Sequence, residues 1–486
     1  MQCLQTEAGR VAVAGSGFLV DGYDLSIIGA VQNVIKVVYV CQGSAPCQSD
    51  KISAADFHNL TGAVNSAALV GSIFGQLIIG VLADRLGRRL IFIITGVLLV
   101  VGSCLSALAQ SDLISDAGPQ QLLYQIALAR FVVGFGIGGE FPLTGSIAAE
   151  GSSAKRRTVL MSLVYTSACV GILLCPMLML LLYALGCPLW LLWRLGLAFG
   201  GAMPLASLYF RWKMHESDDY RKVEQQRAQC NPKVMLAPTV GLYKWHLLGT
   251  ASNWFLFNAI YYSTFLFQGQ IMAAASFGPE GLAGTFEKTL VSGVLVFVGG
   301  CAGILSVHFI TLKQMQLQSW LALIPVYALC AVGYSAMLRN VPALLVVIYS
   351  ATFFFLICGP GMSTYIIPAE IYPSQAKGTL VGISAACGKL GAWLFVILTS
   401  FLDLDATPGR TSLFAMCAVV SAVGALATLF FTPRYDDKDL ARVLPAETVG
   451  FVPLGWQRAR RQRKLDECSS RSDTETESSS TESSGT

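Results

Sequence analysis

Asp21, Asp24, Arg130, Glu140 and Lys389 are ionisable residues inside long apolar stretches of this 486-residue sequence. A charge in such surroundings is costly unless it lines a wet cavity or meets a partner, so each is a candidate for chemistry. Asp21 and Asp24 lie three apart and share roughly one face of a helix. A carboxylate whose access to water changes between two states takes up a proton in one and releases it in the other; the plainer alternative for both is a brace against a neighbouring helix. Glu140 sits in GFGIGGEFPL, where Gly134, Gly136, Gly138 and Gly139 permit close helix approach and Pro142 loosens the backbone. It is a second proton-carrier candidate, or simply the partner of Arg130. Lys389 either attracts an anion or pairs with a carboxylate when no anion is bound, and the two can alternate; static helix packing is its plainer reading. Trp254, Asn258 and Tyr262 recur every four residues and occupy one side of a helix, either facing lipid or lining a site.

The elements that must position these residues are membrane-length helices. Hydrophobic residues make up 54% of the chain and charged residues 13%, with a mean hydropathy of +0.59, outside the balance of a soluble domain. A spanning helix needs about 20 mostly apolar residues. Twelve such runs lie near 10–38, 61–83, 90–109, 122–147, 157–185, 188–211, 245–272, 288–310, 319–338, 342–366, 378–401 and 411–431. The first carries two aspartates and no small-residue cleavage site, so it reads as a retained helix and not a signal peptide. The expected class is an all-α membrane protein of 12 transmembrane helices in two six-helix halves. Residues 1–212 form the first bundle, 213–244 a cytoplasmic loop, 245–432 the second bundle and 433–486 a tail. Substrate is expected between the bundles.

With the amino terminus inside, Arg85, Arg88, Arg89, Lys155, Arg156, Arg157, Lys213 and the basic residues up to Lys244 fall on the cytoplasmic side. The opposite side holds only Lys51, Lys288, Arg339 and Arg410. Both termini are therefore expected in the cytoplasm, and the plasma membrane is the expected location. The loop GVLADRLGRR (80–89) joins two spans by a tight turn in which Asp84 and Arg88, four apart, can brace helix ends, with Glu150 as a further partner. Pro368, Glu370 and Pro373 mark a matching exit in PAEIYPSQAKG, where Glu370 either ties to Lys377 or is solvated.

Several function classes are not expected. The net charge is +4 without a basic stripe, which argues against nucleic acid. Fourteen cysteines show no paired CxxC or histidine spacing, so neither a metal nor another cofactor is implied. Cys41 and Cys47 fall in an outside loop and could form a disulfide; most others read as small packing residues. His58, His215, His246 and His308 share no helical face and no nucleophile stands beside a base, so an enzyme is not expected; nor is there a P-loop to suggest ATP drive. The basic run 456–464 suits an anionic lipid surface. The Ser/Glu-rich end is expected to be disordered, either a plain solvated tail or a substrate for kinases.

GVLADRLGRR resembles the signature loop between helices 2 and 3 of the major facilitator superfamily. GFLVDGYDLSIIGAV (17–31), ARFVVGFGIGGEFPLTGSIAAE (129–150), LLGTASNWFLFNAIYY (247–262) and IIPAEIYPSQAKGTLVGISAACGKLGA (366–392) resemble its phosphate:proton symporter branch. The resemblance implies the major facilitator fold, proton-coupled phosphate import by alternating access, Asp24 as the helix-1 proton aspartate, Trp254 and Tyr262 as substrate ligands and Lys389 as the helix-11 lysine. It also exposes departures. The branch usually has Asp then Tyr at Glu140 and Phe141, Asp at Asn258, glutamine at Ala168 and asparagine at Gly361. Four polar positions around the expected anion site, Phe141, Asn258, Ala168 and Gly361, have thus changed, and Asn258 removes a negative charge.

The expected function is thus a proton-coupled phosphate importer, with phosphate, protons and the bilayer as partners. Asp24, Glu140 and Asp21 are expected to couple protons, while Trp254, Tyr262, Lys389, Asn258 and Phe141 hold substrate. Asp84, Arg88, Glu150 and Arg130 are expected to govern conformation. Two rivals stand beside this reading: a sugar or organic-anion carrier of the same superfamily, and a phosphate receptor that signals through its tail.

Overall fold

The computed structural model describes residues 7–40, 54–110, 118–150, 152, 156–214, 216, 243–273, 281–372, 376–402, 404 and 406–432, and every regular element in them is helical. The long helices are α1 (Glu7–Ile35, continued by a π-helical stretch Lys36–Val40), α2 (Ala54–Leu86), α3 (Arg88–Ala107), α4 (Gly118–Glu150), α5 (Arg157–Ala184) and α6 (Leu189–Lys213). There follow α7 (Lys244–Phe265), α8 (Gly281–Ser306), α9 (Leu312–Asn340), α10 (Pro342–Ile371), α11 (Lys377–Ser400) and α12 (Thr407–Phe431). Among the described residues, eleven of these are long and apolar enough to cross a membrane by length and composition. The twelfth, α7, is long enough too, but Asn253, Trp254, Asn258, Tyr261 and Tyr262 make it more polar, and these residues are buried against other helices.

Helices are the form this composition must take in a bilayer, because each satisfies its own backbone hydrogen bonds. Their outer faces are frankly apolar: Val332 is 89% and Leu128 71% exposed. The polar side chains turn inward instead.

Some boundaries differ from the hydropathy reading. α9 begins at Leu312 and not near 319, because Thr311 and Gln314 form a capping box that starts the helix ahead of its apolar run. The single run expected over 245–272 is broken after Phe265, and a separate short helix covers Gln268–Ala273. Between α2 and α3 only Gly87 intervenes, at φ 96°, a conformation that glycine adopts without strain and that lets the chain reverse within one residue. Within α10 the residues Ile357–Gly361 form a π-helical turn around Pro360, the local widening expected where proline removes a helical donor.

Neighbour relations repeat after six helices. α1 packs on α5 and α6, α2 on α4, and α3 on α4 and α6; likewise α7 packs on α11 and α12, α8 on α10, and α9 on α10 and α12. The first six and last six helices meet along two seams, α2 on α11 and α5 on α8, which the same shift interchanges. The Cys41–Cys47 pair, Pro373, most of the 213–244 loop and the whole tail after 432 lie outside the described residues.

Candidate functional site

Between the first and last six helices lies a cavity of about 60 Å³ lined by α1, α4, α5, α7, α10 and α11. Asp21, Phe141, Trp254, Asn258, Tyr262 and Lys389 all face it. Lys389 is 1% exposed. Its ammonium donates a hydrogen bond to the Tyr262 hydroxyl and lies 4.3 Å from the Tyr262 ring centre and 5.2 Å from that of Phe141. Phe141 thus contributes a cation–π face where a tyrosine would have offered a hydroxyl. Across the cavity the Asp21 carboxylate lies within electrostatic reach of Lys389, and neither of its oxygens has a hydrogen-bond partner among the described residues. The Asn258 amide nitrogen is likewise buried without a partner. The site therefore presents an ammonium, a phenol and an unspent amide on one side and a lone carboxylate on the other.

Asp21 and Asp24 do not share this cavity. Asp24 turns into the first six helices, where its carboxylate meets Arg130 at 3.8 Å and fills space left by the missing side chain of Gly200 on α6. Arg130 also donates to the Asp24 carbonyl at 3.2 Å. Three residues on a helix leave an offset of about 60°, and close packing of α1 against α4 and α6 turns that offset into two environments. Arg130 is not the partner of Glu140. Glu140 pairs with Arg211 of α6 at 2.5 Å and accepts from Thr95 at 2.7 Å, while the Arg211 guanidinium lies 4.0 Å over the Phe92 ring. Arg211 was legible only as part of a basic helix end, RWK; the structure buries it completely. Asp21 feels Glu140, Arg211, Asp24 and Lys389 together, so the cavity and the two buried pairs form one electrostatic unit.

The positions of the other departures also face the cavity. Ala168 and Gly361 both line it, together with Tyr165. A Cβ at 361 would overlap the Tyr165 hydroxyl, so α5 supplies an OH group in the space an asparagine side chain would need. Tyr165, Ala168, Cys169 and Ile172 all line the cavity at the i, i+3, i+4, i+7 spacing of one helical face, the signal that could have singled out Tyr165.

Toward the end of the molecule that carries the 80–89 loop, the cavity is closed. Phe18 packs with tilted rings between Phe141 (4.8 Å) and Tyr365 (4.7 Å), and Tyr365 donates to Thr144 across the seam at 3.4 Å. Beyond this aromatic floor Asp84 caps the start of α11, accepting from the Gly378 and Thr379 amides at 3.0 and 2.7 Å and from the Thr379 hydroxyl at 2.8 Å. Asp84 also meets Arg88 at 3.3 Å, and Arg88 meets Glu150 at 3.0 Å. Glu216 accepts from the Arg88 and Arg89 amides. On the other seam Glu370 is not solvated: it is 8% exposed and accepts from Thr158 of α5 at 2.8 Å. Tyr372 shares a 2.8 Å hydrogen bond with Thr250, which is bonded in turn to Ser384. Burial pushes the Tyr372 hydroxyl up to about 12, so it stays neutral.

Toward the opposite end a wider cavity of about 490 Å³ opens between the same two sets of helices. Leu25 lines both cavities.

A family model described as sugar (and other) transporter matches residues 10–236 and 239–443. Among known proteins, the chain is 28% identical over 487 residues to the probable inorganic phosphate transporter 1-6 of Arabidopsis thaliana, covering 88% of this chain and 92% of that protein. It is 29% identical over 498 residues to the probable inorganic phosphate transporter 1-12 of Oryza sativa subsp. japonica, covering 88% and 90%. Among solved structures, the E. coli proton:xylose symporter XylE bound to 6-bromo-6-deoxy-D-glucose superposes with a TM-score of 0.72 at 18% identity, over 90% of this chain and 98% of that one. At that identity the likeness is one of fold.

Proposed function

The chain belongs to the sugar (and other) transporter family, a multi-pass membrane transporter of the major facilitator fold and not an enzyme, and from that premise we propose that it imports inorganic phosphate together with protons by alternating access. The observation that carries this reading is the buried Lys389 ammonium, held by Tyr262 in a cavity of about 60 Å³ and faced by an unpartnered carboxylate. A space this small suits a compact ion or a few waters. Trp254, Tyr262 and the Asn258 amide offer donors for phosphate oxygens, and Lys389 supplies the charge. The relatives named as phosphate transporters lend the same support.

Charge balance argues for the proton. Buried around the site are three acids, Asp21, Asp24 and Glu140, and three bases, Arg130, Arg211 and Lys389, so the empty core is neutral when all are ionised. A phosphate anion entering alone leaves an uncompensated negative charge in a low-dielectric interior. A proton that arrives with it restores neutrality. Asp21 is placed to receive it, and once neutral it no longer competes with the anion for the field of Lys389. Asp24 and Glu140 stand behind it, each held by an arginine that a second proton would release. The present arrangement reads as outward-facing, with the wide cavity outside, the Asp84 and Glu370 clasps closed inside, and both termini in the cytoplasm of a plasma-membrane protein.

Uptake of radiolabelled phosphate into proteoliposomes tests the reading. Uptake should rise with an inward proton gradient, Lys389→Gln should abolish it, and Asp21→Asn should make residual uptake indifferent to the gradient. Asp24→Asn should lower the gradient dependence as well. Wild-type uptake displaced by hexose but not by phosphate would favour the sugar carrier that the family description accommodates.

A further inference from the structure

The wider cavity is too large and too differently lined to be only a passage for phosphate. At about 490 Å³ it has the size of a small-molecule site. Lys36 is the one charged residue among the described residues that line it, and no acid joins it there. Gln268 is 3% exposed, lines the cavity, and has neither amide atom hydrogen-bonded; a buried amide with no partner is costly unless a ligand or water completes it. The hydroxyls complete the pattern. Thr285, Thr289 and Ser400 each spend their proton on a helix carbonyl, at 3.0, 2.8 and 2.7 Å. What they present to the cavity is lone pairs, which only a donor can satisfy. Inorganic phosphate brings few donors, whereas a polyol brings several.

We propose that this vestibule is a binding site for hydroxylated phosphomonoesters, such as glycerol phosphate or a hexose phosphate, which occupy it without being carried. The phosphoryl group pairs with Lys36 and the Gln268 amide, and the sugar or glycerol hydroxyls donate to the threonine and serine oxygens. The central cavity, about 60 Å³ against about 490 Å³, shares Leu25 with the vestibule and is much the smaller of the two. The bound ester therefore stands over the entrance and competes with phosphate, so that free phosphate is admitted and esterified phosphate is refused. The inference rests on the outward-facing, phosphate-carrying reading for its consequence, but the binding site stands on its own residues.

The test is direct binding to the purified full chain in nanodiscs, by calorimetry, using glycerol 3-phosphate and glucose 6-phosphate, with glycerol and glucose as controls. The esters should bind saturably and the uncharged polyols at least tenfold more weakly, a charged hydrogen bond being worth about that factor or more. Lys36→Gln and Gln268→Leu should each weaken the esters about tenfold or more, while Lys389→Gln should leave them within about threefold. Lys36 is exposed, so its variant decides the matter if Gln268→Leu does not fold. In proteoliposomes the esters should inhibit phosphate uptake competitively, and labelled ester should stay outside. Absence of ester binding, indifference to Lys36→Gln, loss on Lys389→Gln, or accumulation of labelled ester would each overturn the proposal. Ester binding that depends on Lys36 in a protein that carries no phosphate would uphold the site and overturn only the transport reading.

Discussion

The buried arginines carry more of the site's energetics than their place in the sequence suggests. Arg211 holds Glu140 with no exposure on either side chain, and removing one partner of a buried pair costs about 3–5 kcal/mol because the other charge is stranded. Arg211→Ala should therefore lower the melting temperature in detergent markedly, and Glu140→Gln in the same chain should recover part of the loss, since two neutral groups strand nothing. A double variant no more stable than Arg211→Ala alone would refute the pairing. Asn258 supports a prediction of opposite kind. An aspartate there adds a negative charge beside the proposed anion site, and like charges within about 4–8 Å cost on the order of 2–4 kcal/mol at an effective dielectric of 20. Asn258→Asp should raise the KM for phosphate at neutral pH by tenfold or more. Acid conditions should reverse the effect, because protonating the new carboxylate removes the repulsion, so uptake should depend more steeply on pH than in the parent. The sequence made Asp21, Asp24, Glu140 and Lys389 conspicuous because charge is rare in apolar runs. Which acid meets which base was not legible, since Asp24–Arg130 and Glu140–Arg211 are set by helix rotation and by contacts between residues distant along the chain.

At the scale of elements, the contact to test is the cap that α2 places on α11. Asp84 accepts three hydrogen bonds from residues at the start of a helix belonging to the other six, where the helix dipole adds to the attraction. Asp84→Asn removes the charge and turns one acceptor into a donor that faces other donors. Hydrogen bonds to charged groups are worth about 1.5–3 kcal/mol, so the closed state of this seam should lose about tenfold or more in population. A reporter is available at Gly145, whose added Cβ would lie at ordinary contact distance, 3.4 Å, from Ala369 across the seam. With Gly145→Cys as background, Asp84→Asn should speed labelling of that cysteine by a membrane-impermeant thiol reagent added on the side that carries the 80–89 loop. Unchanged labelling would mean that the cap does not hold the gate. The elements themselves were largely readable, since about 20 apolar residues make a span wherever they occur. Their ends were less so: the capping box at Thr311 and the break after Phe265 are decided by single hydrogen bonds that hydropathy does not register. The sequence marked Asp84 and Arg88 as a brace between neighbouring helix ends, with Glu150 as a further partner. That Asp84 also meets the α11 backbone, nearly 300 residues away, follows only from the assembled seam.

For the whole molecule, the two clasps and the two cavities imply one equilibrium. Asp84 on α11 and Thr158 with Glu370 lie on separate seams, so their losses should add. A ligand that fits only the open vestibule must favour the state in which both clasps are closed, since it can shift the equilibrium only by its differential affinity for the two states. At a concentration about 100 times its dissociation constant such a ligand supplies about 2.7 kcal/mol. That is comparable with the loss of one charged clasp, about 1.5–3 kcal/mol, and smaller than the loss of two. Glycerol 3-phosphate should therefore return Gly145→Cys labelling to near the parental rate in the Asp84→Asn chain, but only in part when Glu370→Gln is added. On the proposed mechanism inorganic phosphate should do less at equal occupancy, because its proposed place is the central cavity and not the vestibule. If the ester protected the single and double variants equally, the clasps would not be independent. If it protected neither, outer-site occupancy and inner closure would not be linked through a common rocking of the two sets of six helices.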